Sequence, residues 1–276
     1  MNKETEKKLR RIARDIRIDI IRMLTEAGSG HPGGSLSATD ILTYLFFNKM
    51  RYNPQFPDWK ERDRFILSKG HAVPALYAVF AKADYIKPEE LNTLRKIDSR
   101  LQGHPDRVKL PGIEASTGSL GQGLSIAIGM ALAGKMDNAP YRVYCMIGDG
   151  ESQAGQVWES AMAAPKLKVN NLTVILDYNK VQLDGTVKEI LDIEPIVDKW
   201  RAFNWNVIEI DGHNFTDIER AFGEAEAYKE GPSIIIAHTI KGKGVSFMEG
   251  NVEWHGKAPS ENEREKAVKE LLATEL

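Results

Sequence analysis

The chain has 276 residues, of which 42% are apolar and 28% charged, with a net charge of −2 from 37 basic and 39 acidic side chains. Those values describe an ordinary globular protein and exclude the basic footprint of a nucleic-acid binder and the charge profile of a membrane-surface protein. The single cysteine, Cys145, lies in an apolar run, so the chain has no internal disulfide framework and the residue reads as a small buried hydrophobe.

The N-terminal segment is charged throughout and lacks the apolar core of a signal peptide. No stretch approaches the roughly 20 apolar residues of a membrane span. An intracellular, cytoplasmic protein is the expectation. Residues 4–26 place Leu9, Ile12, Ile16, Ile20, Met23 and Leu24 at a helical period, with a stop at Ala27-Gly28. A second helix is predicted over Ser37–Asn48, with Ser35 or Ser37 as N-cap. RFILS (64–68) predicts a short buried strand, and the residues from His71 onward begin a helix. A helix rich in small residues follows over 120–136.

YRVYCMI (141–147), LTVILD (172–177), NVIEI (206–210) and SIIIAH (233–238) are β-branched, apolar runs separated by helical segments, one of them over Gln153–Ala164. That alternation predicts an α/β fold with a mostly parallel sheet and helices on both faces. No repeat or linker divides the chain, so one domain over residues 1–276 is expected, ending in a charged helix, SENEREKAVKELLATEL.

Function in such sheets sits beyond the carboxyl ends of the strands. There the run YRVYCMI stops at Gly148-Asp149-Gly150. Two glycines around a carboxylate suit a turn at which the backbone bends and a ligand comes close. Taken alone, this is a strand-end turn with a capping Asp. However, Asn179 follows 30 residues later, just past the next predicted strand. A carboxylate and an amide carbonyl on neighbouring strand ends are hard-oxygen ligands, suited to Mg²⁺ or Ca²⁺. Mg²⁺ completes its shell with phosphate oxygens, water and backbone carbonyls. Gly150 and the helix start after it offer N–H groups to a phosphate. These residues therefore point to a metal–diphosphate site.

This pattern resembles the thiamine diphosphate signature, and the chain resembles the N-terminal, diphosphate-binding domain of transketolases. The matching stretches are Gly30-His31-Pro32-Gly33-Gly34, Leu67-Ser68-Lys69-Gly70-His71-Ala72, Gly103-His104-Pro105, Thr117 to Gly123 and Trp254-His255-Gly256. They span about residues 28–258. The resemblance implies a thiamine diphosphate-binding fold, with thiamine diphosphate and Mg²⁺ as cofactors and Ca²⁺ as a possible substitute. It implies that Asp149, Asn179 and the Val181 carbonyl hold the metal, and that Gly150 and Asn179 touch the diphosphate. It further implies that His71 and His255 contact the cofactor, and that Gly118, Ser119 and Leu120 lie along its aminopyrimidine. His31, His104 and His255 would line the donor-sugar channel as catalytic histidines. His213 reads as structural. The basic loop Thr239 to Gly244 reads either as a phosphate neutraliser or as a solvated turn. Ser119 stands where many full-length transketolases carry proline, which leans toward the shorter, split-gene members.

In the family, the glutamate that tunes the cofactor's pyrimidine ring and most of the sugar-phosphate grip lie in later domains. The expectation is that this chain lacks the pyrimidine-binding and C-terminal domains. It therefore reads as half of a transferase in the pentose phosphate pathway, moving a two-carbon ketol unit between sugar phosphates. The expected partner is a C-terminal subunit carrying the pyrimidine-binding domain, in a heterotetramer. Other thiamine diphosphate subunits, of the 1-deoxyxylulose-5-phosphate synthase-like or 2-oxo acid dehydrogenase alpha type, are alternatives. So are a split transketolase for an unusual sugar and a non-catalytic scaffold.

Overall fold

The structure, a computed structural model, describes residues 1–274. Five parallel strands form one sheet in the order β1-β2-β3-β5-β4: β1 Arg64–Leu67, β2 Val143–Gly148, β3 Leu172–Tyr178, β4 Asn206–Asp211 and β5 Ser233–His238. In β2, Tyr144 and Met146 face one core while Val143, Cys145 and Ile147 face the other. This is the period-two alternation of a sheet covered on both sides. On the first face the core is built with α1 (Lys3–Ala27), α2 (Pro32–Tyr44), α3 (Val73–Lys82), α8 (Phe215–Ala227) and α9 (Glu261–Ala273). On the second it is built with α4 (Gln122–Met136), α5 (Gly155–Lys166) and α7 (Ile196–Ala202), while the short α6 (Val187–Leu191) adds Val187. Cys145 is a free, buried core residue, as expected.

The helix α1 shows how directly sequence dictates an element. Asn2 caps it by accepting from the Thr5 amide at 2.8 Å, and Gly28 ends it in the left-handed region at φ 63°. Leu9, Ile16, Ile20 and Leu24 are buried along one stripe, each contributing about 1.5–3 kcal/mol of hydrophobic stabilisation. Ser260 caps α9 in a capping box with Glu263. Glu275 and Leu276 of that predicted segment lie outside the described residues.

Three expectations need correction. The second helix begins at Pro32, not Ser37, and runs to Tyr44 before a single π-turn over Leu45–Lys49. Pro32 occupies the first helical turn, where its missing N–H costs nothing. Ser35 and Ser37 are therefore interior residues, not caps; Ser35 Oγ bonds back to the His31 carbonyl at 2.7 Å. Gly33 lies in the first turn although glycine disfavours a helix, and the position has no room for a side chain: a Cβ there would lie 2.9 Å from both the Trp254 carbonyl and Lys241 Cγ.

The helix after Gly148-Asp149-Gly150 begins at Gly155, behind a 3₁₀ turn over Glu151–Gln153. The third correction concerns β4, read from the sequence as an apolar run: it is an edge strand that alternates, with Ile208 and Ile210 buried but Glu209 and Asp211 exposed.

Candidate active site

The loops after β1, β2, β3 and β5 meet at the carboxyl edge of the sheet. They deliver Lys69, Asp149, Asn179 and Lys241 to one cleft of about 770 Å³, including its open mouth. His71, Leu120, Gly150, Val181 and His255 also line it. The pairing of β2 with β3 brings Asp149 and Asn179 together. The Asp149 carboxylate accepts from the Gly150 amide at 2.8 Å and from the Lys180 amide. Asn179 Oδ1 accepts from the Val181 amide at 3.1 Å, and its Nδ2 donates to Asp177 at 3.0 Å.

A buried framework holds these turns. Asp177 is fully buried and accepts from Lys69, from Ser37 Oγ at 2.6 Å and from Thr239 Oγ1. Glu151 accepts from Ser68 Oγ at 2.5 Å, the Gly121 amide at 2.8 Å and the Gly148 amide at 3.1 Å, which ties the Gly-Asp-Gly turn to the start of α4. Burial pushes the Glu151 carboxyl up against those hydrogen bonds. Burial would also raise Asp177, but the ammonium of Lys69 and its hydrogen bonds hold it low. Asp149 has no such cation in contact. Burial, with the charge of Asp177 beside it, pushes its carboxyl up to about 7 despite the two amides.

Four histidines form a cluster beside this carboxylate. The His31 ring lies 5.3 Å from His71, 6.5 Å from His104 and 5.6 Å from His255, and His71 stacks on His255 at 5.1 Å. Burial lowers all four below the ordinary histidine range, His31 to about 4 and His255 to about 3, with nearby Arg95, Lys69 and Lys241 adding to the effect. Neutral rings can each accept as well as donate. Lys241 is 2% exposed and donates to His255 Nδ1 at 2.7 Å and to the Val181 carbonyl at 2.9 Å. Burial lowers its ammonium to about 8. Within the basic loop, this lysine points into the cleft, not into solvent.

The residues present fit a metal and a diphosphate. Among the described residues no group of three or more His, Cys, Asp or Glu side chains could hold a metal ion. The candidate set is instead one carboxylate, one amide oxygen and one backbone carbonyl, which is hard-cation chemistry. The Lys241 ammonium on the Val181 carbonyl marks that oxygen as a cation-binding point. His31 Nδ1 is buried with no hydrogen-bond partner among the described residues.

The predicted residues gather unevenly. Asp149, Gly150, Asn179, Val181, His71, His255 and Leu120 share the cleft, and His31 and His104 join through the ring cluster. Gly118 lies against the His104 ring, whereas Ser119 is exposed. Sequence reasoning gave no role to Lys69, Glu151 or Asp177. The available signal was a charged residue inside or at the end of an apolar run, as in RFILSK and VILD, where the strand forces it inward.

Comparison with known proteins agrees with this geometry. Residues 8–275 match the family described as transketolase, thiamine diphosphate binding domain, and the chain belongs to that family. It is 47% identical over 258 residues to the 6-deoxy-6-sulfo-D-fructose transketolase subunit SqwG of a Clostridium species, covering 92% of this chain and 94% of that protein. It is 43% identical over 252 residues to an apulose-4-phosphate transketolase subunit of Phocaeicola vulgatus, covering 91% and 89%. The solved structure of the transketolase from Leishmania mexicana superposes with a TM-score of 0.90 at 31% identity, over 95% of this chain but 41% of that one. The chain therefore spans about two-fifths of that transketolase and nearly the whole of the two subunits. It is a homologue of split-type transketolase subunits.

Proposed function

We propose that this chain is a single diphosphate-binding domain over residues 1–276. It acts as the N-terminal subunit of a transketolase, moving a two-carbon ketol unit from a ketose phosphate to an aldose phosphate. The convergence of Asp149, Asn179 and Val181 beside four neutral histidines carries this reading. When bound, thiamine diphosphate supplies the nucleophilic thiazolium carbon on which the two-carbon unit travels.

The chain's own residues bind and orient. Asp149, Asn179 Oδ1 and the Val181 carbonyl would hold Mg²⁺, or Ca²⁺ in its place, with Asp149 giving up its proton to do so. Gly150, Asn179, His71 and His255 would meet the diphosphate side of the cofactor, with Lys241 available to neutralise it. Backbone atoms of Gly118, Ser119 and Leu120 would lie along the pyrimidine. His31, His104 and His255 are neutral near pH 7, so each can accept a proton from a sugar hydroxyl or donate a hydrogen bond to a carbonyl oxygen.

The cleft is open, and Leu120 and Leu183 at its rim are 41% and 56% exposed. A site that must exclude water needs cover. The relatives of matching length bear subunit names, which supports a partner. We assign that role to a C-terminal subunit carrying the pyrimidine-binding domain, in a cytoplasmic heterotetramer serving the pentose phosphate pathway. A second reading has its own support: those two relatives are named for apulose-4-phosphate and 6-deoxy-6-sulfo-D-fructose. On that reading the partner fixes the sugar handled, and it differs from the common pentose phosphates.

The test is mild affinity purification from the source cells with mass spectrometry, followed by ketol-transfer assays on each fraction. A second chain in equal amount, with turnover only when both are present, is expected. Turnover by the purified chain alone refutes the split-enzyme reading.

A further inference from the structure

Five hydrogen bonds connect the N-terminal helices to the turn that carries Lys241. Arg17 on α1 donates to both oxygens of Asp40 on α2, at 2.9 and 2.7 Å, and to the Lys243 carbonyl at 3.1 Å. Asp40 Oδ2 lies 2.7 Å from Nδ1 of His213, in the turn after β4. His213 Nε2 lies 2.9 Å from the amide nitrogen of Ile240, in the turn after β5. A backbone amide can only donate, so Nε2 must carry the lone pair. The ring proton is then on Nδ1, where it is donated to Asp40.

We propose that Asp40 and His213 are positioning residues. Asp40 fixes the one His213 tautomer that accepts the Ile240 amide, and this holds the 239–244 turn so that Lys241 reaches the cleft. Lys241 is the next residue along, and its ammonium touches the Val181 carbonyl and His255. The turn has other ties, from the Gly242 amide to the Gly33 carbonyl at 3.0 Å and from the Gly250 amide to the Lys241 carbonyl at 2.9 Å. A second side-chain link runs from Thr239 Oγ1 through Asp177 to Ser37 on α2, but it is the imidazole that accepts from the Ile240 amide itself. His213 lines no part of the cleft, so its effect on the site passes through Ile240 and Lys241. The consequence for cofactor binding rests on the function proposed above; the positioning of the turn does not.

The test compares His213→Ala, His213→Gln and Asp40→Asn in the full chain. The first readout is amide hydrogen exchange of the 238–250 segment, with the central strand 172–178 as internal control. The second is the affinity for thiamine diphosphate with Mg²⁺ in the complex with the partner. His213→Ala is expected to speed exchange at Ile240 at least tenfold, leave the control strand unchanged and weaken the cofactor about tenfold. His213→Gln restores both, because its amide oxygen accepts where Nε2 did. Asp40→Asn behaves like His213→Ala, because its amide can donate to Nδ1 and move the ring proton to Nε2. Unchanged exchange in His213→Ala overturns the proposal, as does a His213→Gln variant as loose as His213→Ala. If Asp40→Asn fails to fold, the two His213 variants still decide the outcome. If the turn loosens as expected but the wild-type complex binds no thiamine diphosphate, the functional reading fails and the positioning role stands.

Discussion

Asp40 and Asp149 are both nearly inaccessible, at 5% and 3% exposure, yet they sit in opposite electrostatic conditions. Burial alone would raise Asp40, but the Arg17 guanidinium and His213 hold its carboxyl well below the usual range. Asp149 receives two backbone amides and a neighbouring carboxylate, and it is pushed up to about 7. A buried charge with a full set of partners belongs to the architecture. A buried charge left short of a cation is the signature of a site that expects one.

The largest expected effect breaks the Asp149 side of this comparison. Asp149→Asn removes a poorly compensated carboxylate, so the chain alone should become more stable above neutral pH, by about 2 kcal/mol. The same change should weaken Mg²⁺-dependent binding of thiamine diphosphate by about 100-fold in the assembled complex, because the proposed metal site loses its one anionic protein ligand. Urea unfolding and calorimetric titration check the two halves. A less stable variant that keeps full affinity would show that Asp149 is architectural after all.

The next effect breaks the other side. Arg17→Met leaves Asp40 buried with the His213 ring N–H as its remaining side-chain hydrogen bond, and should cost about 3 kcal/mol of stability. Urea unfolding measures that cost. NMR of the Asp40 carboxyl should then show its pKa moving up, toward the condition of Asp149. A carboxyl that stays low would assign its compensation to His213 instead.

The two carboxylates were not equally legible in the sequence. Asp149 stands out because glycines flank it at the end of an apolar run, and because Asn179 recurs one strand later at the same place in the fold. Asp40 lies in SATDIL with no such marking, and its partners come from 23 residues before it and 173 after it. Period and capping made α1 and most strands readable, because those signals are local. The start of α2 was not readable, since the glycines there look like a helix breaker, and the reason for glycine at position 33 is the close approach of the distant Trp254 carbonyl and Lys241 stem. Lys69 and Asp177 were missed for the same reason: each satisfies the other across 108 residues.

Acid titration sharpens the comparison. The unfolded chain takes up protons on its histidines below about 6.5, while His31 and His255 resist in the fold until about 4 and about 3. Stability should therefore fall as pH drops from 6.5 through that window. Asp149 works in the opposite sense. Its folded pKa is raised, so the fold binds a proton that the unfolded chain does not, and this adds stability as pH falls from about 7 toward 3.8. Asp149→Asn should thus steepen the loss between pH 7 and pH 5. Thermal unfolding at both values, for both proteins, measures it. An identical slope would mean that Asp149 is already ionised at pH 5.

The smallest effect belongs to a position where no buried charge is at stake. Ser119 is exposed, and its amide makes no hydrogen bond within the described residues, so proline removes no donor that the fold uses. Gly118 before it has no Cβ to meet the proline ring. Ser119→Pro should change stability by no more than about 0.5 kcal/mol, and ketol transfer by the assembled enzyme by less than about twofold. A loss of several-fold in turnover with unchanged stability would mean that the Ser119 hydroxyl or amide touches the ligand. Site contacts would then extend along the 118–120 turn by more than backbone carbonyls, at a residue that burial and charge leave unmarked.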